Sequence, residues 1–516
     1  MRFRLFLALL FACGALPLLA QAPPSNLYLP IDSWATPYVE HLIRAGVLQG
    51  LDPLTRPLRR ADVARAVAAV DTTDLPAPIR SSLRLLAWEL EERPDTVRWK
   101  LEANVAAQGA SDASRWTVRP APAGSRMFYQ GGLTGSLEFP HVGVVTSPYF
   151  DTRLLRDSEF MGFKQRFIAG DNREAYVLGS WKYFEVFFGR EARNWGPPEV
   201  DGILLSANPY PYDQLMLRLG PRRFRLEMIA TQLDNLPMSQ SGLSGQRYLS
   251  LHRLVITPSD RLSFSLAEAV IYADTGGPSR SFEPWYLNVA SLWLIPNSNF
   301  VGGPTKDLVA VDGSWLAGRS LRLAGQLFAN DLRVDKRSPT NPEKPEELGY
   351  TLSATGQALH GLGSWSAFYT RMDNLDYQTE KGTQYQYSIW GVGLGRDNTD
   401  YDQYTVRGNA LVAPRALVGA EVTYIRQGQG DFRLPFPPVS ALNDSLRFLT
   451  GIVERTLRVA AQANWTPVAG INLSTDIGRH FIWNANHVQG VRGDRWVWRL
   501  RAEIRRRITG TVPWKD

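Results

Sequence analysis

The sequence predicts an all-β transmembrane barrel of about 18 antiparallel strands, with a small N-terminal helical domain on the periplasmic side. Three observations carry this expectation. From about Lys100 onward, apolar residues repeat with period two instead of the helical 3.6. Along the same stretch, tight turns alternate with long polar connections, the asymmetry of an outer-membrane barrel. Finally, the 516-residue chain holds 16 Trp, 19 Tyr and 22 Phe. Yet beyond its N-terminus it has no run of about 18 apolar residues from which a spanning helix could be made.

The first 22 residues read as a secretory signal peptide. Met1-Arg-Phe-Arg4 is a short basic segment, Leu5 to Ala12 is apolar, and Ala20-Gln21-Ala22 is a small-x-small cleavage site. Cleavage after Ala22 removes Cys13, the only cysteine, and with it any disulfide or thiol chemistry. Arg2 and Arg4 leave too, so the formal charge of +7 falls to about +5. A mild, diffuse positive charge suits neighbours rich in phosphate or carboxylate, such as lipopolysaccharide or an acidic glycan, and gives no case for nucleic acid.

Residues 23–95 form the predicted helical domain. Trp34, Tyr38, Leu42 and Ile43 recur at helical spacing up to Gly46. Arg60 to Ala69 is a second helix and Ser81 to Glu92 a third, with Leu83, Leu86 and Leu90 on one face. Pro76, Pro78 and Pro94 punctuate the segment.

Residues 96–516 form the predicted barrel, and its last strand is the clearest. Trp496, Trp498, Leu500, Ala502, Ile504 and Ile508 fall on one face; Val497, Arg499, Arg501, Glu503, Arg505 and Arg507 fall on the other. About 13 alternating residues are long for a soluble sandwich strand and suit a tilted membrane strand. Tight turns are predicted near Pro140, Ser180, Pro221, Pro258, Gly318, Gly361, Pro414 and Pro467. Long connections over 191–212, 273–305, 333–347, 375–403 and 427–450 lie between them. Short turns at one rim, long loops at the other and both termini in the periplasm give about 18 strands. No fixed-period repeat appears, which counts against a propeller or solenoid.

One segment is sharper than the rest. Residues 184–217 contain Gly189-Arg190, then Arg193-Asn194-Trp195-Gly196-Pro197, then Leu204-Leu205-Ser206, Asn208 and Pro211. This pattern resembles the signature of the Wzi-like capsule assembly family. The chain departs from it at Pro198, where the family shows a second glycine, and at Ala207, where a polar residue is expected. The resemblance implies an outer-membrane barrel preceded by helices. It also implies a non-enzymatic role in binding or organising extracellular or capsular polysaccharide at the cell surface. The candidate polysaccharide-binding or motif-loop residues are Arg190, Arg193, Asn194, Trp195, Asn208 and Asp213. An aromatic face can stack on a sugar ring, and guanidinium, amide and carboxylate groups can pair with its substituents. The same residues could equally brace an inward-folded loop against the lumen wall.

Arg499, Arg501, Arg505 and Arg507 suggest a basic lumen face, which supports an alternative function as an outer-membrane diffusion channel. Ala45-Gly-Val-Leu-Gln-Gly-Leu-Asp52 with Arg60-Ala-Asp-Val-Ala64 is similar to part of an S-layer homology module. That likeness implies a possible peptidoglycan partner for the helical domain; a cap over the barrel's periplasmic mouth is the other reading. No catalytic residue, metal or cofactor is expected. The six His are scattered, and His480 with His487 matches no metal-ligand spacing. No nucleophile elbow, phosphate loop or dinucleotide fingerprint occurs.

Overall fold

Eighteen antiparallel strands close on themselves into one barrel. The computed structural model describes residues 27–513 except 91–95, 119–123, 238–243, 274–281, 294–296, 298–304, 332–346 and 443. The signal-peptide prediction thus lies outside the described residues. Going around the ring, the strands are β1 Thr96–Ala110, β2 Arg126–Glu138, β3 Val142–Asp151, β4 Ala169–Ser180, β5 Phe184–Arg190 and β6 Asp213–Leu219. They continue as β7 Phe224–Pro237, β8 Ser244–Ser259, β9 Leu262–Ala273, β10 Thr305–Leu316, β11 Arg322–Asp331 and β12 Glu347–Ala358. The ring is completed by β13 Gly363–Met372, β14 Tyr401–Ala413, β15 Ala416–Gln427, β16 Glu454–Trp465, β17 Ile471–Trp483 and β18 Arg492–Pro513. The closing seam joins β18 to β1 from Arg499↔Ala110 to Pro513↔Thr96.

The period-two pattern becomes two chemically different faces. On β18, Trp496, Leu500, Ile504 and Ile508 are exposed while Val497 and Glu503 are buried. Around the ring Leu133, Val177, Leu266, Val311, Leu352 and Val406 are exposed in the same way. So large an exposed apolar belt is the lipid-facing surface of a membrane barrel, not the surface of a protein in water. Aromatic residues border the belt: Trp181, Trp315 and Trp465 near the short turns, Tyr129, Phe150, Phe188 and Tyr404 toward the other rim. Among the described residues no helix is long and apolar enough to cross a membrane; this chain crosses with strands.

Each of the eight predicted tight turns joins two adjacent strands, from Pro140 between β2 and β3 to Pro467 between β16 and β17. These turns mark one rim. At the opposite rim, segments 191–212, 373–400 and 428–453 turn inward, and their apolar residues pack with the inner wall. Trp195, Ile203, Leu204, Tyr377, Tyr387, Leu394 and Phe432 share one buried cluster with Phe187, Met216 and Leu251.

Three helices precede the barrel: α1 Thr36–Arg44, α2 Arg60–Ala68 and α3 Ala77–Glu89. After α1 the chain turns at Gly46, whose φ of 74° favours glycine. The helices are a stopper in the barrel mouth at the short-turn rim. Tyr38, Leu42, Leu83 and Leu86 share their core with Leu411 and Leu417 of the inner wall. Tyr38 Oη donates to the Arg415 carbonyl at 2.7 Å, and His41 Nδ1 lies 2.9 Å from Ser364 Oγ.

Candidate functional site

The motif loop begins where β5 ends. Gly189 has φ 133°, and a Cβ there would lie 2.1 Å from the Ala175 carbonyl oxygen, so only glycine lets the chain leave the wall at this point. Arg190 follows, half-buried at the end of the strand. It bridges Asp171 of β4 at 2.6 Å and Asp213 of β6 at 3.2 Å. Asp213 is exposed and Arg190 is its register partner. These two candidates therefore sit together at the long-loop rim.

The remaining candidates point into the barrel. Arg193 stacks over Phe187 at 4.4 Å and donates to Gln214 Oε1 at 2.9 Å. Asn194 Oδ1 accepts from Gly202 N at 2.6 Å, closing the loop on itself. Trp195 is 2% exposed: its carbonyl accepts from Gln326 Nε2 at 3.1 Å, and the Arg253 guanidinium lies 4.1 Å over its ring. Asn208 Nδ2 donates to the Gly393 carbonyl at 2.9 Å. Each of these contacts holds the loop in place. None of the four presents an open face to the outside.

Partners that the sequence pattern did not single out complete the arrangement. Glu227 of β7 accepts from Arg218 at 2.7 Å and Arg253 at 2.6 Å, and forms an ion pair with Arg225 at 2.6 Å. These residues come from three strands, so no local spacing announces the cluster. Tyr387 Oη donates to the Leu204 carbonyl at 2.7 Å, and Tyr377 Oη donates to that of Ile203. Gly395 passes so close that a Cβ would lie 1.9 Å from the Ile203 carbonyl oxygen. The Leu204–Asn208 part of the motif is thus a dock for the segment between β13 and β14.

The stopper meets the motif loop from below. Thr55 and Arg56 pair antiparallel with Trp195 and Asn194, and Gly196 N donates to the Leu54 carbonyl at 2.9 Å. Asp52 pairs with Arg225 at 2.7 Å. Burial by itself would raise the Asp52 carboxyl, but Arg225 and then Arg253 outweigh it and hold the pKa at about 2. The segment similar to an S-layer module therefore turns Asp52 to the barrel wall.

The four arginines of the last strand do face inward, but they do not form an open basic lumen. Arg499 donates to the carbonyls of Ser114 and Arg115. Arg501 pairs with Glu503 at 2.9 Å. Arg505 lies 4.5 Å over the Trp34 ring, and Arg507 lies 4.6 Å over Trp88 while pairing with Glu89 and, at 3.2 Å, Glu102. Two of the four hold the stopper. Beside the plug remains a cavity of about 880 Å³ whose lining alternates cations such as Lys100 and Arg173 with carboxylates such as Glu102 and Glu174. Its upper end is crossed by Arg115, which stacks on Tyr210 at 4.0 Å and pairs with Glu159 at 2.5 Å. Among the described residues, no group of three or more His, Cys, Asp or Glu could hold a metal ion.

No family model matches this chain, and no curated protein does. Solved structures do. The chain is similar to Wzi of Escherichia coli, an outer-membrane protein involved in group 1 capsule assembly and a carbohydrate-binding β-barrel. The TM-score is 0.62 at 12% identity, covering 95% of this chain and all of that one. Similarity to two Pseudomonas aeruginosa barrels is lower. OccD3 (OpdP) gives a TM-score of 0.46 at 9% identity over 80% of this chain and 91% of its own. OprD gives 0.45 at 10% over 80% and 96%. At such identities the likeness is one of fold: this chain has the fold of the Wzi outer-membrane barrel.

Proposed function

We propose that this protein binds an acidic polysaccharide at the cell surface and helps to hold it there, without making or cutting sugar bonds. The observation that carries the reading is the inward packing of segments 191–212 and 373–400. It gives the extracellular end a built surface in place of an open mouth. Similarity to a carbohydrate-binding barrel supports the same reading. In this proposal the motif residues Arg193, Asn194, Trp195 and Asn208 are scaffold, while Arg190 and Asp213 stand at the rim. Contact with the polymer falls to groups above them. Arg371 and Phe448, both half-buried, set a guanidinium 3.7 Å over an aromatic ring. That combination suits a sugar carrying a carboxylate.

The test is deletion of the gene with glycan measured in both fractions. Cell-associated polysaccharide is expected to fall and free polysaccharide to rise, with total synthesis unchanged. Unchanged surface glycan would remove the proposed role. Purified protein in planar bilayers is expected to be silent, because inward-packed loops and the helical stopper obstruct the lumen; a large steady conductance would favour the channel instead.

A further inference from the structure

The connection between β3 and β4 carries an exposed surface that is both apolar and cationic. Between Glu159 and Asp171 the sequence has no carboxylate, and it runs Met161-Gly-Phe163-Lys164-Gln-Arg166-Phe167-Ile168. All eight residues are exposed. Met161 at 63%, Phe163 at 78% and Phe167 at 96% are extreme for large apolar side chains. The Arg166 guanidinium lies 5.2 Å over the Phe163 ring, which keeps charge and apolar surface side by side.

Its place in the fold decides what it meets. The segment leads into β4, where Gly170 is the register partner of Phe150. Phe150 is exposed on the lipid-facing side, at the upper limit of the apolar belt, next to the similarly exposed Tyr129. The apolar belt therefore continues upward into a loop that adds cations. Arg126, at the start of β2, and Arg156, in the same β3–β4 connection, are exposed as well. The outer leaflet of an outer membrane consists of lipopolysaccharide, with phosphates on a sugar backbone directly above acyl chains. Cations beside aromatic residues at a membrane interface match that order of charge over hydrocarbon.

We infer that residues 161–168 form a binding site for the phosphorylated lipid moiety of lipopolysaccharide, with Lys164 and Arg166 on phosphate and Phe163 and Phe167 against the acyl chains. This site stands apart from the polysaccharide reading and does not depend on it. The experiment uses the full chain in detergent micelles, with labelled lipid A and the same lipid enzymatically stripped of phosphate as probes. Lys164→Ala/Arg166→Ala is expected to weaken lipid A binding about 25-fold, at about fivefold per cation. The stripped lipid should bind wild type as weakly as lipid A binds that variant. Phe163→Ser/Phe167→Ser should weaken both probes. Unchanged heat-modifiability on gels confirms that the barrel has folded, and Arg126→Ala/Arg156→Ala serves as a milder second variant. Equal affinity for both probes, or no loss in either double variant, would overturn the site. Loss of acidic polysaccharide binding in the charge variant with lipid A binding intact would also overturn it and give the patch to glycan.

Discussion

Trp195 is the residue where two meanings of one motif part. An indole at a turn can be a platform for a sugar ring or a peg in a wall. Here Arg253 covers one face and the Gln326 amide holds the adjoining carbonyl. Trp195→Ala is therefore expected to act through stability. Removing a buried indole costs about 3–5 kcal/mol, and segments 191–212 and 373–400 should become sensitive to added protease while the barrel stays assembled. Loss of glycan binding with protease resistance intact would restore Trp195 as a contact residue. Pairings such as Arg253 with Glu227 were not legible in the sequence, because the ring brings together residues whose spacing depends on strand register. The glycines were more legible: Gly189 and Gly196 are where the chain has to leave the wall and turn, and each has a positive φ.

Elements show how far alternation alone can be read. The last strand's two faces, the eight short turns and the strand number near 18 all follow from period two and turn residues, because a barrel wall exposes alternate side chains to two unlike surroundings. Alternation does not tell what fills the lumen, so the arginines of β18 read equally well as channel lining or as stopper contacts. Leu500→Arg places a cation against lipid at a cost of roughly 2–4 kcal/mol near the midplane, and should reduce the heat-modifiable, outer-membrane form. Arg501→Leu should still assemble, and equal damage from both would contradict the assignment of faces. The helical stopper makes a different prediction, in pH. Burial, helped by the charge of Arg44, depresses the neutral His41 from 6.5 to about 4. Burial raises Glu89, but Lys100, Arg60 and Arg507 prevail and bring it from 4.5 to about 2. Asp52 is similarly held at about 2. All three folded values lie below the free ones, so each contribution is complete above the free value and is lost as pH falls. Loosening of the helices should begin below pH 6.5 through His41 and deepen below about 4.5 through the carboxylates, at no more than roughly 3.5 kcal/mol per group. Tryptophan fluorescence from pH 7 to 3 follows it, and His41→Gln should remove the first phase. A flat trace to pH 3 would show that these groups do not control docking.

For the whole molecule, orientation is the statement on which the functional reading depends. Epitope tags at Pro414 and Pro467 should be reached only after the outer membrane is opened, and a tag at Pro435 should be reached on intact cells. Surface labelling at Pro414 would invert the molecule. With the orientation fixed, the two-residue pairing of Thr55–Arg56 with Asn194–Trp195 acquires a mechanical meaning. Polypeptide that enters the ring from the periplasm is spliced there to polypeptide that enters from outside. Neither crosses the membrane alone, yet the splice makes the interior continuous for force. A pull on the outer loops by a long polymer would travel through a few backbone hydrogen bonds into helices on the far side.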